Sequence, residues 1–321
     1  MRSLDFLSHK PKLAVQNTRH VVMVPPKEFG FNPQTAADNE FQHSSSLTSE
    51  QIREQAMGEF LRMVTSLREN GVNVMPLDYS PSKISTPDAV FPNNWFCSLP
   101  NGELHLFPMA CANRREEVRT DQLTQLLSQH SFNLKNVQDH WLDDAVHESF
   151  LESTGVMIFD HQNRELYAGL SQRCDRDLLE RFAEQVGYRA ITFQTQTQSG
   201  TPVYHTNVMM AVGERFAVIC DEVIPEFERR YVIKQLAKTK QVISISAEQM
   251  AHFCGNILQL ENAQGHKLIA MSQSAFDHFS DAQKAQLASH GKLLPFDVST
   301  IESIGGGSVR CMLAEVFAQQ Q

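Results

Sequence analysis

Five stretches of this chain are written to one plan, and that repetition constrains the fold more than any other feature. They begin at Phe91, Leu151, Tyr204, Phe253 and Ile304, at intervals of 49 to 60 residues. Each opens on a short polar or glycine-containing stretch and runs into an apolar strand, and most continue through a turn into a second strand. Asn101-Gly102 stands between two apolar runs in the first, and Gly213 and Gly265 punctuate the third and fourth, which is hairpin chemistry. Helical patterns fill the intervals. The clearest starts at Thr48-Ser49-Glu50-Gln51, a capping-box spelling. It carries Ile52, Ala56, Phe60, Leu61, Val64 and Leu67 at helical spacing and stops at Gly71. Residues 115–129, 175–186, 226–238 and 281–290 read the same way. Repetition of a ββαβ-type unit at this period predicts an α/β protein built as a closed ring, with the polar lead-ins converging near its axis. A plain α/β sandwich without symmetry is the alternative. No Pro/Gly/Ser linker or charge run divides the sequence, so residues 1–321 read as a single domain.

The net charge of -9 argues against nucleic acid or an anionic membrane as the main partner. No segment approaches 18 apolar residues, and the stretch before His20 lacks the apolar core of a signal peptide, so a cytoplasmic location is expected. The six cysteines are scattered, the nearest two 14 residues apart, with no CxxC pair. There is no HExxH, Walker loop or GxGxxG, so neither a metal nor a nucleotide cofactor is expected.

Among the cysteines Cys311 differs from the rest. It follows Gly305-Gly306-Gly307-Ser308-Val309-Arg310, a glycine run that lets backbone approach a ligand closely. Arg310 is its neighbour, although adjacent side chains on a strand point to opposite faces. His205, in Val203-Tyr204-His205-Thr206-Asn207, fits a satisfied strand histidine as well as a catalytic one. Glu152 and Asp88 fit capping or surface carboxylates equally.

Taken together, these elements resemble the guanidine-modifying, or pentein, superfamily of arginine deiminases, dimethylarginine hydrolases and amidinotransferases. The resemblance runs from about residue 20 to 317. It is carried by landmarks in the family's order: Pro87-Asp88-Ala89-Val90-Phe91-Pro92-Asn93-Asn94, Asn113-Arg114-Arg115-Glu116, Leu151-Glu152-Ser153-Thr154-Gly155, Gly169-Leu170-Ser171-Gln172-Arg173, His205-Thr206-Asn207 and the glycine run ending at Cys311. The subgroup most similar is that of the arginine-deiminase-related, citrulline-utilising hydrolases. The resemblance implies a five-bladed α/β propeller and an enzyme that needs no cofactor and acts on a small amino-acid substrate. It leaves a homodimer open. It implies Cys311 as nucleophile, His205 as general acid and base, and Glu152 as the group that binds a substrate nitrogen. Arg114 and Arg173 would hold the substrate carboxylate, for which guanidinium forks are suited, and Asp88 its α-amino end. Arg114 also fits a solvated helix face, and Arg173 a cap on nearby carbonyls.

Two departures from the family pattern matter. Asn94 and Asn207 stand where the deiminases keep aspartates that bracket a guanidinium. A guanidinium is a cation that offers only donors, whereas a ureido group is neutral and offers a carbonyl acceptor beside its N–H donors. Burying the cation between amides would cost on the order of several kcal/mol. The expected substrate is therefore a ureido amino acid, L-citrulline first, giving ornithine, ammonia and carbon dioxide. Arginine deimination, amidino transfer and a non-catalytic binding protein of the same fold are the competing readings. Ser153 is the second departure, since relatives read Glu-Gly there and a serine calls for ordinary backbone angles. The polar stretch 194–200 before the histidine reads as a surface loop or a lid.

Overall fold

The turn residues act as the spacing predicts. Gly102 takes φ +88°, and the strands on either side of it pair antiparallel. The computed structural model describes residues 15–81, 83–140 and 149–317. Residues 1–14, which carry most of the N-terminal reading, lie outside them. In chain order the strands are β1 (His20–Met23), β2 (Asn73–Pro76), β3 (Phe96–Ser98), β4 (Glu103–Leu106), β5 (Asn136–Asp139), β6 (Ile158–Asp160), β7 (Glu165–Gly169) and β8 (Arg189–Phe193). They continue as β9 (Met210–Val212), β10 (Phe216–Ile219), β11 (Gln241–Ser244), β12 (Leu258–Glu261), β13 (Lys267–Ser272), β14 (Lys292–Phe296) and β15 (Ala314–Glu315).

These strands form five three-stranded sheets. Four are continuous in sequence: β3 to β5, β6 to β8, β9 to β11 and β12 to β14. In each, the first two strands pair antiparallel and the chain returns through helix to lay the third parallel to the second, since a parallel neighbour needs a crossover. The fifth sheet is assembled from both ends of the chain. β15 pairs antiparallel with β1, and β1 parallel with β2. The segment from Ile304 therefore does not carry its own second strand. Its head belongs to the helix Ser299–Gly305, and its hairpin partner is β1. This joins the two ends of the ring and makes the molecule a five-bladed propeller-like α/β fold. The first strands are innermost, with β15 against β3, β6 against β9 and β9 against β12. The described residues include no helix long and apolar enough to cross a membrane.

The first helix, Ser49–Glu69, starts at the capping box read from its sequence. Thr48 Oγ1 accepts from the Gln51 amide at 3.2 Å, and Gln51 Oε1 accepts from the Thr48 amide at 2.9 Å. Ile52, Ala56, Phe60, Val64 and Leu67 are buried, joined by Met63. Leu61 is a correction: it falls outside the buried stripe and is 55% exposed. Residues 115–129 are not one helix but two, Ala112–Arg115 and Thr120–Gln129. The break lets the Glu117 carboxylate turn inward to Arg114 at 3.0 Å, while the Arg119 guanidinium lies 3.9 Å from the centre of the Tyr79 ring.

The helix makes a direct test of which face carries the core. Leu67→Ala should lower unfolding free energy by about 2–5 kcal/mol in a denaturant titration, and Leu61→Ala should stay within about 0.5 kcal/mol of the parent. Equal effects would contradict the packing described.

Candidate active site

The lead-ins to the five inner strands converge at one end of the ring. Asn94-Trp95-Phe96, Gly155-Val156-Met157, Asn207-Val208-Met209, Asn256-Ile257-Leu258 and Cys311-Met312-Leu313 hold equivalent places at the start of the inner strands β3, β6, β9, β12 and β15. In each triplet a polar or small residue is followed by two apolar residues that anchor it in the core. The polar members thus reach the axis from four of the five modules. Gly155 is the one module without a side chain there, and the reason is space. A Cβ on it would lie 2.4 Å from Asn94 Nδ2 and 3.0 Å from His205 Nδ1.

Glu152 is fully buried at the centre of this convergence. Its Oε2 lies 2.7 Å from His205 Nε2, 3.4 Å from Arg173 Nη1 and 3.7 Å from Arg114 Nη1, and its Oε1 accepts from the Ala110 amide at 3.0 Å. Burial pushes its carboxyl up, but Arg173, the bond from His205 and Arg114 outweigh burial and hold it well below the usual carboxylate range. An ionised Glu152 can only accept. His205 Nε2 therefore carries the hydrogen, and Nδ1, on the side of Gly155 and Asn94, keeps its lone pair. Burial pushes the His205 imidazole down, and Glu152 only partly offsets that. The resting histidine is neutral at neutral pH.

Ser153 corrects the expectation of ordinary backbone angles. It is buried and sits at φ +42°, in the left-handed region that glycine reaches without strain. Holding a serine there costs on the order of 1–3 kcal/mol, and Glu152 is presented from that strained turn.

The two arginines are both buried and both engaged. Arg114 donates through Nε and Nη2 to the two oxygens of Glu117 at 3.1 and 3.0 Å, and through Nη1 to Asn94 Oδ1 at 2.9 Å. It is neither a solvated helix face nor a free fork. Burial pushes Glu117 up to about 7 against the pull of Arg114. Arg173 grips Asp38 with Nε, at 2.8 Å, and with Nη2, and its guanidinium stands 5.1 Å from the centre of the Tyr204 ring. Asp88 accepts from Asn32 and Thr35 at 2.7 and 3.0 Å. Burial raises its carboxyl against the opposing pull of Arg114. Its Oδ1, Asn94 Nδ2 and Asn207 Oδ1 are buried with no hydrogen-bond partner.

Cys311 is buried, and its Sγ lies 3.4 Å from Asn207 Nδ2 and 3.3 Å from Asn256 Nδ2. Arg310 turns away from it, to the Leu313 carbonyl and Glu315. The glycines before Cys311 are closely packed, since a Cβ on Gly305 or Gly307 would come within 3 Å of the Phe91 ring. Cys311, His205, Asn94, Arg114, Arg173 and Asp88 line one cavity of about 10 Å³, the room of a single water molecule. The segment Thr35–Gln42 covers it. Thr35 bonds to Asp88, Asp38 to Arg173, and Asn39 and Gln42 to the Gly305 and Gly306 carbonyls. The loop 194–200 lies alongside, with Ser199 and Thr201 donating to Glu40. All eight site residues named from the sequence therefore come together around Glu152 and Cys311. Asn256, Asp38 and Glu117 were not among them. An alignment of the five lead-ins exposes Asn256 as the counterpart of Asn207, whereas nothing local marks the other two.

Glu152 raises the His205 titration, so removing its charge in Glu152→Gln should move that titration to lower pH still, read from the imidazole proton resonances. The same variant leaves two buried guanidiniums short of a counter-charge and should lose about 3–5 kcal/mol of stability. A His205 titration that moves upward would contradict the arrangement.

A comparison with curated protein sequences found no match. Solved structures share the fold. Apo ArgZ, an arginine dihydrolase from the ornithine-ammonia cycle in cyanobacteria, aligns with a TM-score of 0.71 at 17% identity, covering 94% of this chain and 41% of ArgZ. AgrE, in its ternary complex with ornithine and NAD+, gives 0.69 at 18% identity over 93% of this chain and 39% of AgrE. This chain thus spans about two fifths of either protein. A dimethylarginine dimethylaminohydrolase bearing an S-methyl-L-thiocitrulline adduct gives 0.63 at 15% identity, with 94% of this chain and 100% of that one covered. The family model described as N,N dimethylarginine dimethylhydrolase, eukaryotic, matches residues 25–318, and the chain belongs to that family of hydrolases within the guanidine-modifying superfamily.

Proposed function

We propose that this protein is a cysteine-dependent hydrolase of a ureido amino acid, with L-citrulline as substrate and ornithine, ammonia and carbon dioxide as products. One observation carries the choice of a ureido group. The Asn94 amide is fixed by the bond from Arg114 Nη1 to its Oδ1, so the end left without a partner is the donor, Nδ2. A buried donor calls for an acceptor. A ureido carbonyl is one, and a guanidinium has none. Asn207 Oδ1, also without a partner, suits the ureido N–H.

Neutral His205 takes the Cys311 thiol proton at Nδ1, and the thiolate adds to the ureido carbon. The imidazolium forms beside ionised Glu152, which stabilises it, and passes the proton to the leaving nitrogen as the C–N bond breaks. His205, neutral again, then draws a proton from water as the water attacks the thiocarbamoyl carbon, and returns it to sulfur as the C–S bond opens. The carbamic acid released decomposes to an amine and carbon dioxide. Arg173 binds the substrate carboxylate once Asp38 withdraws, and Asp88 binds the α-amino group through Oδ1. A cavity with room for one water admits citrulline only when the segment Thr35–Gln42 lifts. The described cysteines are all free, in keeping with a reducing cytoplasm.

A second reading is an arginine dihydrolase, as ArgZ is described. It draws on the two acceptors without partners, Asp88 Oδ1 and Asn207 Oδ1, which could also face a cation. One assay separates them: ornithine and ammonia released from citrulline, arginine and dimethylarginine, side by side. Citrulline should be turned over at least tenfold faster than either guanidine, and Cys311→Ser should abolish turnover. Efficient use of arginine alone, or a fully active Cys311→Ser, would overturn the proposal.

A further inference from the structure

Two amides touch the Cys311 sulfur, and they differ in how firmly each is held. Asn256 is fully buried. Its Oδ1 accepts from the Arg310 backbone amide at 3.0 Å. Of the two hydrogens on its Nδ2, one serves the Asn207 backbone carbonyl at 2.8 Å and the other lies toward Cys311 Sγ at 3.3 Å. Rotating this amide by half a turn would set oxygen against the Asn207 carbonyl and nitrogen against the Arg310 N–H. Two hydrogen bonds would become two repulsive contacts at a fully buried amide. The backbone therefore fixes Asn256 as a donor toward sulfur. As a thiol, Cys311 also donates to Asn256 Oδ1 over a longer 3.7 Å; a thiolate has no hydrogen to give and keeps only the contact from Nδ2. Asn207 has no such lock. Its Nδ2 is 3.4 Å from Sγ, and its Oδ1 is without a partner, so it can turn to meet a ligand.

We propose that Asn256 is a catalytic residue: a rigid N–H donor that stabilises the Cys311 thiolate and aims it at the substrate carbon, while Asn207 divides its amide between sulfur and substrate. Arg310 does not supply that stabilisation, since its guanidinium is directed to Leu313 and Glu315. The fourth module thus serves its neighbour, the fifth. Its turn holds an amide in place with backbone groups from the two flanking modules, Asn207 on one side and Arg310 on the other. This inference rests on Cys311 being the nucleophile, and the experiment keeps the two ideas apart.

The test is the rate of Cys311 alkylation by iodoacetamide as a function of pH, read by peptide mapping so that the other cysteines do not contribute, in the parent, Asn256→Asp and Asn256→Ser. Asn256→Asp keeps the acceptor for Arg310 and replaces the donor by a carboxylate oxygen. Asn256→Ser leaves sulfur with the Asn207 amide alone. A hydrogen bond to a charged group is worth enough to move a titration by about one to two pH units. Both variants should therefore shift the alkylation profile to higher pH by that amount, Asn256→Asp the more, and slow alkylation at pH 7 by about tenfold or more. The kcat for citrulline should fall with little change in KM. An unshifted profile in a variant that has lost turnover would overturn the inference, as would loss of the thermal unfolding transition in both variants, which would assign Asn256 to the scaffold. Full turnover by Cys311→Ser would instead count against the nucleophile itself.

Discussion

The Glu152 carboxylate is the interaction on which the rest of this site depends. Fully buried, it would be expelled or protonated were it not met by Arg173, Arg114 and the His205 ring. Those contacts keep it ionised, and an ionised carboxylate settles the tautomer of His205 and the nitrogen left free to move a proton. Each arginine in turn recruits a further carboxylate, Glu117 for Arg114 and Asp38 for Arg173. The result is an alternating cluster of charges, whose two arginines line the same cavity as Cys311. Its cations are balanced before any substrate arrives.

A balanced cluster bears on the choice of substrate proposed above. The charges within it are committed, so discrimination falls to neutral groups. Asn94 is held by Arg114 with its N–H end unmet, and Asn207 shows an unmet oxygen. An unmet donor and an unmet acceptor suit a carbonyl and an N–H, the two features of the ureido group proposed as substrate. Strain is accepted in the same place. Ser153 stays in a left-handed conformation to present Glu152, a cost the surrounding packing must offset.

The ring itself was legible in the sequence because its signal is periodic. Polar lead-in, apolar strand, glycine turn and capped helix recur at one spacing. What was not legible was where the ring closes, since the partner of β15 lies at the other end of the chain. The site divides in the same way. Cys311, His205 and Glu152 sit in motifs with a family likeness, so they could be named. Glu117 and Asp38 matter only through Arg114 and Arg173, and pairings of that kind leave no local pattern. Asn256 lies between. It repeats the position of Asn207, but its importance comes from two backbone groups that only the folded ring brings to its amide. The arginines show the opposite limit: a reader of motifs sees free forks, and the folded protein shows forks already holding carboxylates.

The proposed chemistry requires a covalent bond between Cys311 and the carbon of a ureido substrate. Rapid acid quench of the protein mixed with excess citrulline, followed by intact-mass measurement and peptide mapping, looks for that bond directly. A carbamoyl-type adduct that appears and decays with turnover and maps to Cys311 is the predicted result. Steady release of ornithine with no adduct at any quench time, or an adduct on another residue, would contradict it.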